Sequence, residues 1–348
     1  MCQADVMFEI AGRLAAALDA GRPLAIATAI AIDGSAPRTV GTSMAFDGER
    51  VIGSIAGGCV EGAVVEVCER VLEDGVARTV EYGVSDETAL SVGLTCGGRL
   101  RIHVRLVTAV DPTVDRLREA LTGAPTGVAS VIAGDAAAHG QRVAAELRSR
   151  IALGESALTT IDCGDALVEV FFEVAVAPPR LIVFGAMEFS AALAAAASAV
   201  GYRVTVCDPR RLFATEERFP GVELVVAWPP RWLAGELLTS RDVVCVLSHD
   251  ARFDAELVAA ALASAAGFVG AMGSRRTHDR RVASLRELGV AADAITRLRS
   301  PIGLDLGAST PAETAVSILA EVIADRTRAS AARLSLTAGA IHADQPAR

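Results

Sequence analysis

Lysine is absent from the 348 residues, so all 33 basic side chains are arginine. That excludes a Walker-type phosphate loop, which needs its lysine. It also excludes Schiff-base and pyridoxal-phosphate chemistry, which need an amine nucleophile. Aromatics are scarce at 4%, no stretch gathers them with basic residues, and the net charge is -9. Nucleic acid is therefore not expected as a partner, because a phosphate backbone demands a basic face; a local anion site is compatible with this balance. The seven cysteines (Cys2, Cys59, Cys68, Cys96, Cys163, Cys207, Cys245) are odd in number and form no CxxC pair. A disulfide framework is not expected in so large a chain, and the thiols read as reduced, as in the cytoplasm. The opening 20 residues lack a basic n-region and carry Asp5, Glu9 and Arg13 at helical spacing, which reads as an amphipathic helix and not a signal peptide.

Hydrophobic residues make up 52% and charged residues 22%, the balance of a globular chain long enough for two domains. Two weakly charged stretches, 181–202 and 257–274, are broken by glycine where a strand should meet a helix. Buried α/β elements account for them better than membrane spans, which would hold one period throughout. In the front section, 24–32 reads as a buried strand, 43–46 and 50–55 as a hairpin about Asp47-Gly48, 60–72 as a helix stopped by Gly75, and 100–107 as a strand. The next stretch is less regular: a helix near 114–121, a strand at 127–133, and strands around 151–161 and 166–175.

Pro178-Pro179 marks a boundary, since two prolines stop regular hydrogen bonding. Beyond it strands at 181–184, 203–207, 224–227, 243–247 and 268–270 alternate with helices at 191–200, 254–263 and 277–288. Thr310-Pro311-Ala312-Glu313 is a capping box that opens a last helix to Asp325. The expected fold is α/β: a smaller N-terminal α/β domain (1–110), a connecting region (111–178), a Rossmann-like doubly wound parallel sheet (179–327) and a frayed tail (328–348).

Five places could carry chemistry. The first strand–helix turn of the back half reads Gly185-Ala186-Met187-Glu188-Phe189-Ser190 where a dinucleotide fold has GxGxxG. The second glycine lets a pyrophosphate approach the backbone, and here Met187 stands in its place with Glu188 beside it. Asp208 ends the second strand, where a ribose-binding carboxylate belongs; a cap or turn residue is the plainer reading. His249, in Ser248-His249-Asp250, follows another strand end and is a candidate cofactor contact, with an ordinary capping turn as the alternative. Gly273-Ser274-Arg275-Arg276 combines helix amides with guanidinium, which suits a phosphate held by Ser274, Arg275 and Arg276; a solvated basic turn is the alternative. Gly57-Gly58-Cys59-Val60-Glu61 places Cys59 at a helix start, a position that favours thiolate. Gly93-Leu94-Thr95-Cys96-Gly97-Gly98 holds Cys96 in a loop that a ligand can approach closely. Cys68, Cys163, Cys207 and Cys245 read as small core residues.

These motifs carry a resemblance. With Gly34-Ser35, Pro37-Arg38, Gly53-Ser54, His249-Asp250, Pro301-Ile302-Gly303-Leu304-Asp305 and Thr310-Pro311, the chain resembles the XdhC/CoxI family of xanthine dehydrogenase accessory proteins. It departs from that family's Gly-Ala-Gly-His-Val-Gly loop at 185–190. The resemblance implies a cytoplasmic chaperone that transiently binds molybdenum cofactor, as molybdopterin or its cytosine dinucleotide form. It implies delivery to the apo-enzyme of a molybdenum hydroxylase of the xanthine dehydrogenase or carbon monoxide dehydrogenase type. A cysteine desulfurase is an expected further partner and a homodimer the expected state. Cys59 and Cys96, with Gly57, Gly58 and Gly97 beside them, would meet the metal–sulfur end of the cofactor, and Arg38, Ser274, Arg275 and Arg276 its phosphate. The competing readings are a nucleotide-dependent oxidoreductase and a scaffold that holds no small molecule.

Overall fold

The computed structural model describes residues 6–33, 39–58, 60–83, 99–135, 139–164, 166–248 and 250–337. It divides into two compact units at the junction of Ala177 and Pro178.

The first unit runs α1 (Ala11–Asp19), β1 (Leu24–Asp33), β2 (Ser43–Phe46), β3 (Val51–Gly53), α2 (Glu61–Asp74), β4 (Arg78–Tyr82), β5 (Arg99–Val107), α3 (Thr113–Leu121), β6 (Thr126–Ala133), α4 (Gly140–Leu153), β7 (Ala157–Asp162) and β8 (Leu167–Ala175). Five strands form an antiparallel sheet in the order β3-β2-β1-β5-β4. Its central strand β1 is apolar almost without a break because both of its faces are covered. Ala25, Ala27 and Ala29 pack towards Val64, Val67 and Val71 of α2, while Leu24 and Ile26 pack towards Leu14 and Leu18 of α1 and Leu117 of α3. The hairpin closes at Asp47, whose carboxylate accepts the amides of Glu49 and Arg50. Gly75, at φ 72°, ends α2 as the sequence suggests. The edge strand β4 was not among the expected elements.

A second sheet, β6-β8-β7, is covered by α4, with Val143 and Leu147 against Val168, Val170 and Phe172. Here one expectation is corrected: residues 151–153 finish a helix and do not begin a strand. Val143, Leu147 and Ile151 recur every four residues, one face of a helix, and Gly154 at φ 71° stops it before β7 begins at Ala157. The β-branched Ile151 suggested a strand that the period does not support.

The second unit runs β9 (Arg180–Phe184), α5 (Glu188–Ala199), β10 (Arg203–Cys207), β11 (Glu223–Val225), α6 (Pro229–Leu233), β12 (Val243–Val246), α7 (Asp254–Ala263), β13 (Phe268–Ala271), α8 (Arg275–Glu287), α9 (Ala292–Thr296), β14 (Leu298–Arg299) and α10 (Pro311–Thr327). All six strands are parallel, in the order β11-β10-β9-β12-β13-β14, the doubly wound Rossmann arrangement. β9 shows why a parallel strand reads as a continuous apolar run. Leu181 and Val183 join the core that includes Leu193 of α5 and Ile318 of α10, and Ile182 and Phe184 join the core that includes Leu257 of α7 and Leu285 of α8. Each of those side chains is fully buried, worth about 1.5–3 kcal/mol apiece.

The Pro301-Ile302-Gly303-Leu304-Asp305 segment fastens this sheet to α10. Gly303 sits at φ 106°, donates its amide to Glu321 Oε2 at 2.6 Å, and leaves no room for a Cβ, which would lie 2.5 Å from Ser317 Oγ. Thr310 and Glu313 form the expected capping box at the start of α10. Among the described residues no helix is long and apolar enough to cross a membrane.

Candidate functional site

Of the residues singled out from sequence, Arg38, Cys59, Cys96, Gly97 and His249 lie outside the described residues. What the structure does show is the backbone leading to position 59. Gly57 and Gly58 adopt φ of 79° and 116° and are exposed, with nothing within 4 Å of where a Cβ would be. Conformation, not crowding, requires glycine there.

The carboxylate that shapes this turn is Glu61, which sequence reading left without a role. It accepts the Ser54 hydroxyl at 2.9 Å and the amides of Ala56 at 3.0 Å, Gly58 at 2.7 Å and Val60 at 3.3 Å. Burial works to raise its pKa, but the donated hydrogen bonds of Ala56, Ser54 and Gly58 outweigh it and hold the carboxyl at about 2. Val60 is the residue before the first helical position, so position 59 precedes the helix start by two residues and is not in its first turn. An acid at the first helical position, three residues after a glycine pair, is the signal that could have identified Glu61 as a brace.

The sign of this shift sets a pH dependence. A carboxyl depressed from 4.5 to about 2 contributes stability that is complete above pH 4.5 and is lost as the pH falls towards 2. Thermal melts of the full chain across that window should therefore decline less steeply for Glu61→Gln than for wild type. Parallel curves would show that the brace contributes nothing.

The basic turn of the second unit is also built as a helix start, with Arg275 and Arg276 as the first two helical residues of α8. Ser274 caps it, its hydroxyl accepting the Thr277 amide at 3.1 Å. Arg275 and Arg276 are exposed and pair with no acid among the described residues. Arg281, one and a half turns on, is the opposite case. Its side chain is 1% exposed and makes a two-point contact with Asp254, both distances 2.8 Å. It also donates to Ser300 Oγ at 3.0 Å and to the Met272 carbonyl at 3.1 Å, which fixes the backbone just before Gly273-Ser274.

At the first strand–helix turn, Gly185 has φ 103° and its Cβ position lies 2.9 Å from the Ser248 amide nitrogen, so this glycine is obligatory for packing alone. Asp208, buried, accepts the Ala186 amide at 2.8 Å on Oδ2 and both Arg210 N and Nε on Oδ1. Burial opposes ionisation, yet Arg210 and the Ala186 amide hold its pKa below the usual carboxylate value. Asp208 is thus spent on the turn, in keeping with the plainer of its two readings. A cavity of about 650 Å³ opens at this end of the sheet, lined among others by Met187, Asp208, Arg210, Asp250, Arg252 and Phe253. Sequence reading missed Arg210 and Arg252 because each is held by an aspartate two residues before it, a local turn that carries no motif.

Cys68, Cys163, Cys207 and Cys245 are buried and free, as expected for core thiols. Among the described residues, no cluster of three or more histidine, cysteine or acidic side chains could hold a metal ion.

Residues 17–83 match the sequence model described as the XdhC and CoxI family, and residues 181–322 match that of the XdhC Rossmann domain. YqeB of Escherichia coli K12 is 34% identical over 162 residues, 47% of this chain but only 30% of YqeB, so the chain spans under a third of that relative. A Bacillus subtilis 168 protein, described as a probable xanthine dehydrogenase subunit, is 27% identical over 80% of this chain and 86% of its own length. The molybdenum cofactor insertion chaperone PaoD of Escherichia coli K12 is 26% identical over 80% of this chain and 75% of its own. A crystal structure described as a xanthine dehydrogenase from Bacillus halodurans has a TM-score of 0.61 over 94% of this chain and 98% of that one, at 24% identity, which shows a shared fold. With residues 17–83 and 181–322 matched in order by two models of one family, the protein belongs to the XdhC and CoxI family.

Proposed function

We propose that this protein is an accessory chaperone in the maturation of a molybdenum hydroxylase of the xanthine dehydrogenase or carbon monoxide dehydrogenase type. It takes up molybdenum cofactor and hands it to the apo-enzyme. Family membership and the names of two relatives support the maturation role. The observation that carries the cargo reading is the Glu61-braced turn: exposed glycine backbone, held open by one carboxylate, leads to Cys59.

Cys59 and Cys96 are the soft ligands for the metal–sulfur end, with Gly57, Gly58 and Gly97 allowing close approach. Arg38, Ser274, Arg275 and Arg276 hold the phosphate. The two arginines of α8 fit that role because no described acid neutralises them and because they open a helix, an end that favours an anion. His249 is a further contact. A cysteine desulfurase as sulfur donor, a homodimeric state and a cytoplasmic location belong to the same proposal. Protein purified from cells that make the cofactor should carry pterin fluorescence and molybdenum, and should elute as a dimer. Protein free of both pterin and metal would remove the cargo reading.

The oxidoreductase reading has less support. Met187 occupies the place of the second glycine, Glu188 opens α5 with a negative charge, and Asp208 is already engaged. NAD(H) titration of the full chain should show no saturable binding at micromolar concentration and no hydride transfer. Micromolar binding lost in Asp208→Ala would reinstate that reading.

A further inference from the structure

The cavity at the switch point of the second unit lies where the chain turns from β9–β11 on one side to β12–β14 on the other, the place at which open α/β sheets receive ligands. Its chemistry is wrong for a pyrophosphate. Three carboxylates, Glu188, Asp208 and Asp250, face it against two guanidiniums, Arg210 and Arg252, and each guanidinium is already committed to an aspartate. A phosphate would enter a lining with one more negative than positive charge, and by taking Arg252 it would leave the Asp250 carboxylate facing it unpaired.

The two ion pairs differ. Asp208 is sealed, 2% exposed, with its oxygens taken by the Ala186 amide and Arg210. Asp250 is 24% exposed and, among the described residues, its carboxylate bonds only to the Arg252 guanidinium, whose side chain is 68% exposed, and to the Arg252 amide, with Arg252 Nε at 2.9 Å from Oδ1. Exposed pairs of this kind hold weakly, so a ligand can replace this one without leaving a buried charge. A planar acceptor and a planar donor side by side complement one kind of edge: a ring N–H next to a ring carbonyl. The remaining walls include Met187, Phe189, Met272 and Phe253, apolar surfaces suited to the faces of an aromatic ring, with methionine sulfur well matched to π-systems.

We infer that this cavity binds a lactam-bearing heteroaromatic ring free of phosphate, with Asp250 taking the ring N–H and Arg252 the ring carbonyl. A purine, a pterin and an isoalloxazine all present such an edge, and the volume accommodates any of them. The inference does not rest on the cargo-binding turn proposed for the first unit.

Isothermal titration of the full chain with guanosine, pterin and riboflavin should show saturable binding of at least one, and the one that binds identifies the source of the ring. Adenosine, similar in size but without a lactam, should bind about tenfold more weakly than guanosine or not at all, the factor set by one hydrogen bond to a charged group. Asp250→Asn should weaken the bound ring by about the same factor without moving the thermal melt, since among the described residues the side chain bonds only within its own turn. Failure of all three rings to bind would overturn the inference. So would adenosine binding as tightly as guanosine, GMP binding much more tightly than guanosine, or an unchanged Asp250→Asn. The comparison of ligands on wild-type protein needs no variant to fold.

Discussion

Replacing Cys59 or Cys96 with serine is expected to leave a co-expressed target hydroxylase inactive while the variant itself melts as wild type does. The Glu61 brace runs through the Ser54 hydroxyl and the amides of Ala56, Gly58 and Val60, donors that a substitution at 59 leaves in place. Cys96 stands among glycines in the sequence, residues that allow a ligand to approach the backbone closely. Removing a soft ligand should cost at least the roughly 10–100-fold that outer partners of a metal site cost. Cys245 should behave in the opposite way. It is fully buried in the core beside Val183 and Phe268, and burial pushes its thiol pKa up, so no thiolate is available there. Cys207 and Cys68 are likewise pushed up to about 12 by burial. Cys245→Ser leaves an unpaired hydroxyl in that core, at about 1–3 kcal/mol, and should lower the melting temperature without altering activation by whatever protein remains folded. The measurements are hydroxylase activity on co-expression and thermal melts of each variant. Normal activation by both loop variants would make the thiols structural and move the site out of the first unit.

The arginines of α8 should separate just as sharply. Arg281→Ala removes one half of a buried pair with Asp254 and abandons the Met272 carbonyl and Ser300, which should destabilise the second unit by about 3–5 kcal/mol. Arg275→Ala with Arg276→Ala touches only exposed side chains and should change stability by no more than about 0.5 kcal/mol. Its effect should fall on cofactor retention instead. A charge-assisted hydrogen bond is worth about 1.5–3 kcal/mol, so the double variant should hold pterin at least tenfold more weakly through gel filtration. Unchanged retention would place the phosphate elsewhere, with Arg38 next to be tested.

What the sequence showed on its own was whatever depends on near neighbours. The parallel strands after Pro179 are legible because burial on both faces demands unbroken apolar runs such as Leu181–Phe184. Gly75 and the Thr310–Glu313 box are legible because a cap is completed within one turn of helix. The family motifs were legible as well, and the matches over residues 17–83 and 181–322 agree with them. The strand start near Ile151 went astray because β-branching outweighed a four-residue period in a helix with many arginines.

Only the tertiary structure could tell one arginine of the run Arg275–Arg281 from another. In sequence they are equivalent, and the difference arises because Asp254, 27 residues earlier, meets Arg281 across two packed helices. It alone showed that Asp208 is consumed by the Ala186 amide 22 residues away, and that Glu61 gathers the donors of a whole turn. Local propensities act over a turn of helix or a pair of strands. Charge pairing, burial and the space left at a sheet's switch point depend on elements brought together only when the chain has folded.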